Sequence, residues 1–311
     1  MIIKHIVQYL RKWIGKNILK GHFPYAYAHY YYWYYTHKEL DWEHPCDINQ
    51  KLFWLARYWQ SPLIVRCADK LSVRGYIKGL GLESILNEIY AEYASPDQID
   101  IEHLPDYFVL KMNHLGGGDG VYICKDKNSF DIERVKVEIQ SQLHKVIGLD
   151  TCEYQYQYIK PMIYAEKYIG DSQNNRLEIQ FFCFNGVAKH ILVRNDLGDA
   201  AEDSFAISYD MNWRRVHDRK IENMSIDIPR PKRLDEMIYI ANKLAAPFPH
   251  VRIDLYYVDD QIIFGEMTFS TSGNILWNYT DKVVLEWGKE LTLPQKLKCK
   301  WSDYYKSQAI G

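Results

Sequence analysis

Residues 108–121 read FVLKMNHLGGGDGV, and the fold turns on how they are understood. Phe108, Val109 and Leu110 form the apolar run of a buried strand that delivers Lys111, and Val121, Tyr122 and Ile123 resume a strand pattern after the loop. Between them Gly116, Gly117, Gly118 and Gly120 enclose Asp119. Such a loop can turn several backbone N–H groups onto one anion, because glycine adopts dihedrals closed to other residues. From these residues alone two readings stay open. One is a hairpin with a glycine-rich turn; the other is a phosphate-binding loop with a lysine at its base. The pattern is neither G-x-G-x-x-G nor G-x-x-x-x-G-K-[ST], so neither the dinucleotide fold nor the P-loop is indicated. His114, beside the loop, reads either as a general base or as a hydrogen-bonding filler.

The chain around this stretch has 311 residues, enough for one large domain or two to three smaller ones with real cores. A net charge of −2 gives no global basic field, which argues against nucleic acid as a partner. None of the six cysteines has CxxC or zinc-ligand spacing, so reduced thiols in a cytoplasmic protein are the simplest expectation. No apolar run reaches 18 residues and no signal-peptide pattern opens the chain.

Residues 1–20 carry an amphipathic basic helix pattern: Ile3, Ile6, Val7, Leu10, Trp13, Ile14 and Ile18 recur at three- and four-residue steps among Lys4, Arg11, Lys12, Lys16 and Lys20. No acidic residue precedes Glu39. The helix either docks on the body through its apolar stripe or lies on the inner face of an anionic membrane. Residues 23–35 (FPYAYAHYYYWYY) read as core packing or as a sugar-stacking or partner surface, and residues 47–59 as a helix capped by Asp47. Ser61 to Cys67 is expected as a strand or extended lead-in. Asp69-Lys70 and Arg74 then precede a short helix ended by Gly79 and Gly81.

Beyond the loop a helix is expected over 129–146, a strand over 154–159 from the alternation YQYQYI, and a buried strand over 162–168 that a break at Gly170, Asp171 and Ser172 follows. LEIQFFCFN (177–185) and AKHILVRN (188–195) pair through Asn185-Gly186. VRIDLYYV (251–258) and QIIFGEMTF (261–269) form a second hairpin that turns at Asp259-Asp260. Alternation places Arg252 and Asp254 on one face and lets Asp254 oppose Glu266, with Thr268 beside it. Two carboxylates on rigid paired strands suit a hard cation such as magnesium; the bland alternative is a solvated strand pair. Helices mixed with antiparallel hairpins give the class α+β.

Taken in order, these pieces resemble the ATP-grasp superfamily of carboxylate–amine ligases. Asp69-Lys70 with Arg74 is similar to the family's first lysine motif, Phe108 to Lys111 to its second lysine strand, and Gly116 to Val121 to its glycine-rich lid. Ala165 to Ile169 is similar to the adenine hinge, and Arg252-x-Asp254 followed by Glu266 to the strands that hold substrate and magnesium. More narrowly, DKxxVR, LPDxFVLKxNH, FFCFNG and GEMTF resemble the teichuronopeptide-type ATP-grasp proteins of capsule and cell-wall polysaccharide loci. Two departures stand out: Thr268 takes a position where many relatives carry asparagine, and Asp119 puts a carboxylate in the loop. Asn274 is a possible source of the missing amide.

The resemblance implies an ATP-grasp fold of two α+β subdomains, over 66–165 and 166–311, behind a helical, aromatic-rich extension over 1–65 that contacts substrate, partner or membrane. It implies ATP and Mg²⁺ as cofactors. Lys70, Lys111, Gly116, Gly117, Gly118, Gly120, Glu166, Lys167 and Tyr168 would bind ATP, Asp254, Glu266 and Thr268 would bind the metal, and Arg252 would join Lys70 and Lys111 in catalysis. The implied reaction joins a carboxylate, a uronic acid of a glycan or its precursor, to an amine through an acyl phosphate, beside the polysaccharide assembly machinery. A sugar kinase-like enzyme, a glycosyltransferase and a non-catalytic scaffold are the competing readings.

Overall fold

The computed structural model describes residues 10–116, 118–170, 177–195, 205–221 and 226–304. Two antiparallel sheets organise them. The smaller contains β1 (Ile89–Tyr93), β2 (Phe108–Met112), β3 (Val121–Cys124) and β4 (Ile163–Lys167) in the order β1-β4-β2-β3. The larger contains β5 (Leu177–Phe184), β6 (Val187–Asn195), β7 (Ala206–Tyr209), β8 (Arg215–Val216), β9 (His250–Val258) and β10 (Gln261–Thr268) in the order β10-β9-β5-β6-β7-β8.

Strand alternation decides what each sheet shows to either side. In β2, Phe108, Leu110 and Met112 pack with Val135 and Ile139 of the helix α5 (Ile132–Gln142), while Val109 and Lys111 point the other way. In β5, Ile179, Phe181 and Cys183 are buried in the core shared with α6 (Leu234–Ala245). The opposite face changes character along the strand. Phe182 and Phe184 lie in a second core with Trp54 of α2 (Ile48–Tyr58) and Trp287 of α7 (Asp281–Glu290), but Glu178 and Gln180 line a cleft. Each buried phenylalanine contributes about 1.5–3 kcal/mol relative to exposure. The polar pair at the far end of the same strand is therefore free to serve another purpose.

Both hairpin turns form as expected. Asn185 and Gly186 have φ of 50° and 80°, and Asp259 and Asp260 have 50° and 59°, the left-handed pair that a two-residue turn requires. At Gly265 the β9/β10 register shifts by one residue, and this bulge puts Glu266 opposite Asp254 and Thr268 opposite Arg252.

Two expectations are corrected. Residues 61–67 are not a strand: they lie in the helix α3 (Pro62–Ala68), whose cap Ser61 accepts a bond from the Leu63 N–H and whose Pro62 supplies a preset first-turn φ. Residues 154–159 are not a strand either. Tyr154–Tyr158 form a 3₁₀ turn, with Gln155 buried and donating to Ser270 Oγ at 2.9 Å. The helix α4 (Val73–Gly79) follows α3, and Asp47 caps α2 by accepting from the Gln50 N–H.

The aromatic stretch forms α1 (Pro24–Thr36), with Tyr27, Tyr31 and Tyr32 in a core shared with Phe53, Cys152 and Ile275. Ahead of it, residues 10–19 are helical, widening to a π turn over Gly15–Leu19. Ile3, Lys4, Ile6 and Val7 lie outside the described residues, as do Gly117, Asp171 and Ser172. Among the described residues no helix is long and apolar enough to cross a membrane. All six cysteines are free thiols.

Candidate active site

The cleft between the two sheets measures ≈960 Å³, the upper end of the range for small-molecule sites. Its first wall belongs to the smaller sheet. Lys111 leaves β2 on the face away from α5 and meets Glu166 Oε1 of β4 at 2.5 Å. Lys70 comes from the turn between α3 and α4, and Asn113 holds that turn in place. Its amide donates to Asp69 Oδ1 at 2.8 Å and to the Lys160 carbonyl at 3.0 Å, and its Oδ1 accepts from the Met162 N–H at 2.7 Å. The Lys70 ammonium donates to the Leu115 carbonyl at the root of the glycine loop. Burial draws its pKa below the usual lysine value, with Lys111 adding to the effect and Glu266 opposing it.

The loop joins β2 to β3. Gly118 and Gly120 have φ of +88° and +68°. At Gly120 a Cβ would stand 2.8 Å from Leu115 Cδ1, whereas at Gly116 and Gly118 it would project into open space. Gly116 and Gly118 line the cleft; Gly117 lies outside the described residues. Asp119, the unexpected carboxylate, pairs with Lys145 at 3.0 Å, so a cation neutralises it. His114 is 3% exposed. Burial pulls it down to about 4, so it is neutral at physiological pH, and it does not line the cleft.

The second wall belongs to the larger sheet. Arg252 Nε donates to Asp254 Oδ1 at 2.7 Å, and one terminal nitrogen donates to Asp254 Oδ2 at 2.5 Å, Glu266 Oε1 at 2.9 Å and Thr268 Oγ1 at 3.1 Å. Thr268 Oγ1 in turn donates to Glu266 Oε1 at 2.8 Å. Burial opposes the Arg252 charge, but Asp254 outweighs it and raises the guanidinium above its usual range. Burial also pushes Glu266 up, yet Lys70 and Arg252 prevail and hold it below the usual carboxylate value. Asp254, Glu266 and Thr268, expected as one set, are thus brought together. Two carboxylates and a hydroxyl gathered around one cationic nitrogen are the oxygen donors that a hard cation takes, so these residues fit Mg²⁺. Among the described residues no group of three or more His, Cys, Asp or Glu has metal-site geometry.

The adenine hinge is expected at the strand end after β4. Glu166, Lys167 and Tyr168 all line the cleft. Glu166 spends its carboxylate on Lys111, and the main chain of Lys167 is engaged within the protein. Its N–H donates to the Glu88 carbonyl at 2.9 Å, and its carbonyl accepts from Asn87 at 2.7 Å. Asn274 does not join the carboxylates. Its amide donates toward the carbonyls of Thr151, at 3.5 Å, and Cys152, at 3.3 Å.

That contact shapes a part of the site that the sequence does not announce. Residues 150–153 lie against Gly273, whose Cβ would stand 3.0 Å from Thr151 Cβ, and the Glu153 N–H donates to the Gly148 carbonyl at 2.8 Å. Glu153 faces the cleft and accepts from Thr151 Oγ1 at 2.5 Å. Burial pushes its carboxyl up to about 7. Glu178 and Gln180, bonded to each other at 3.0 Å, complete the second wall. The polar alternation 178/180 inside an apolar strand was a usable signal for that pair. Nothing in the sequence marks Glu153, whose neighbours Thr151 and Cys152 are held by Gly273 and Asn274, more than 100 positions away.

A family model described as TupA-like ATPgrasp matches residues 50–291. The chain belongs to the TupA-like ATP-grasp family. The ATP-grasp fold is accordingly that of both sheets and the cleft between them, and membership supports an ATP-dependent ligase as the class of activity. Solved structures that resemble this ATP-grasp chain include a D-alanine–D-alanine ligase from Bacillus anthracis, at 18% identity over 79% of this chain and 67% of that one with a TM-score of 0.43. The corresponding ligase from Helicobacter pylori has 14% identity over 79% and 70%, with a TM-score of 0.43. A D-cycloserine synthetase has 12% identity over 74% and 72%, with a TM-score of 0.41. No curated protein matches the chain. The assignment rests on the family match.

Proposed function

We propose that this protein is an ATP-dependent carboxylate–amine ligase that works through an acyl phosphate. The observation that carries the proposal is the convergence of Lys70 and Lys111 on one wall of a single cleft with Arg252 and Glu266 on the other, Asp254 being buried against Arg252. A carboxylate oxygen of the acid substrate attacks the γ-phosphorus of ATP and ADP leaves. The amine then attacks the acyl carbon, phosphate departs, and the amine gives up a proton. No protein nucleophile is required, so the site's task is to position reactants and neutralise charge.

Lys70 and Lys111 meet the phosphates, and the N–H groups of the loop at Gly116, Gly117, Gly118 and Gly120 cover the γ-phosphate and exclude water. Since the main chain of Lys167 is engaged, adenine pairing falls to the Tyr168 end of the hinge. Asp254, Glu266 and Thr268 would hold Mg²⁺, which when bound offsets the charge developing on the β- and γ-phosphate oxygens. Arg252, which lines the cleft beside these residues, would bind the acyl phosphate. Glu153, which accepts from the neutral Thr151 hydroxyl, stands to receive the ammonium of the acceptor.

The acid we infer to be a uronic acid of a surface polysaccharide or its precursor, and the amine an amino acid, in the assembly of capsule or cell-wall material. The resemblance of the DKxxVR, LPDxFVLKxNH, FFCFNG and GEMTF stretches to the teichuronopeptide-type proteins supports this. The test is incubation with Mg·ATP, candidate uronic acids and amino acids, followed by mass spectrometry. An amide that forms only with ATP and both substrates is the expected product. A phosphorylated sugar formed without any amine would identify a kinase instead.

A further inference from the structure

The helical segment 10–19 docks on the body by the face opposite to the one its apolar pattern suggests. Gly15 is buried, and a Cβ there would run into the Tyr30 ring. Arg11 lies over the Trp33 ring at 4.0 Å and pairs with Glu39 at 3.0 Å, and Leu19 packs against the aromatic core. Arg11, Gly15 and Leu19, four residues apart, therefore form the inner face. The same spacing turns Leu10, Ile14 and Ile18 outward, with Trp13 beside them; these four are 49%, 39%, 42% and 50% exposed respectively. Lys16, exposed, flanks the stripe beside Trp13, and Lys12, also exposed, sits over the exposed Tyr34 ring at 5.3 Å.

We propose that this outward stripe seats the protein on an anionic lipid bilayer. The charge argues for that occupant over another protein surface. No Asp or Glu occurs before Glu39, Arg11 and Lys20 pair with carboxylates of the body and Lys12 lies over Tyr34, and Lys16, exposed beside Trp13, remains directed at whatever covers the stripe. A shallow row of aliphatic side chains, a tryptophan and a tyrosine at the rim and flanking lysines is the chemistry of a helix lying in the headgroup region. Asp150, the residue that Lys20 grips, leads into the loop that presents Glu153, so the acceptor end of the cleft would sit close to the lipid. The inference stands independently of the substrates named above.

The test uses the full chain in flotation with phosphatidylcholine vesicles, with and without phosphatidylglycerol, at low and high salt. The protein is expected to float with the anionic vesicles and to be released by salt. Ile14→Glu with Ile18→Glu should cut partitioning more than tenfold, and Lys12→Ala with Lys16→Ala about thirtyfold on anionic vesicles. ATP-dependent thermal stabilisation should be unchanged in both variants. Failure to float, or equal flotation of either variant and the native chain, overturns the proposal. So does a native dimer that the glutamates convert to a monomer while vesicle binding persists, since a second copy would then be what covers the stripe.

Discussion

On the smaller-sheet wall Lys111 meets a single carboxylate, Glu166, and the glycine loop next to it opens at Gly116 and Gly118 into free space. On the larger-sheet wall one nitrogen of Arg252 meets three oxygens within 3.1 Å, and the carboxylate of Asp254 is 1% exposed. One wall opens into the cleft; the other is already assembled around an internal cation. The difference teaches where stability and activity should separate. A group held by a dense buried network contributes to both, whereas a group that faces an open cleft contributes chiefly to the chemistry.

The comparison can be broken most sharply at Asp254. Asp254→Ala leaves Arg252 buried without its bidentate partner, and it should cost about 3–5 kcal/mol in a denaturation midpoint experiment as well as abolishing turnover. Lys111→Ala should cost about 3 kcal/mol in the barrier, roughly 10²-fold in kcat/KM, with the melting temperature nearly that of the native protein. If Lys111→Ala unfolds the chain, or Asp254→Ala melts normally, the contrast between the walls is wrong. Within the loop, Gly120→Ala meets both a left-handed φ and the Leu115 and Met112 side chains, and should destabilise by about 1–3 kcal/mol. Gly116→Ala, with nothing within 4 Å of its added methyl, should leave thermal stability unchanged.

Each wall also buries a neutral histidine, which sets a pH dependence common to both. Burial lowers His114 to about 4 and His250, at the start of β9, to about 3. Both lie below the unfolded value of about 6.5, so beneath that pH the unfolded chain binds more protons. Stability is fully present above about pH 6.5 and falls on acidification by about 1.4 kcal/mol per pH unit for each histidine, until the folded values are reached. Replacing His250 by Gln should flatten its share of the slope in pH-resolved chemical denaturation.

Much of this architecture is legible in the chain. The strand alternation around Lys111 and across Arg252, Asp254 and Glu266 is local, and the two-residue turns at 185–186 and 259–260 follow from residues that accept positive φ. Where the sequence misleads, the reason is specific. Ser61-Pro62 opens a seven-residue apolar helix whose run is too short for its period to be told from that of a strand. The Tyr/Gln alternation at 154–158 imitates a strand, but Gln155 is turned inward to Ser270 by tertiary contact. The apolar stripe of the first helix is visible in the sequence; that it faces outward depends on Gly15 meeting Tyr30, a long-range fact. Glu153 is illegible for the same reason, since Gly273 and Asn274 hold the residues beside it.

The central claim is that the two walls share one Mg·nucleotide. Calorimetric titration with a non-hydrolysable ATP analogue addresses it most directly, with and without magnesium, on the native chain and on Lys111→Ala. Binding of a single equivalent that weakens at least tenfold, about 1.4 kcal/mol, on removal of either the metal or the lysine is the expected result. No binding, or affinity indifferent to both changes, would contradict it.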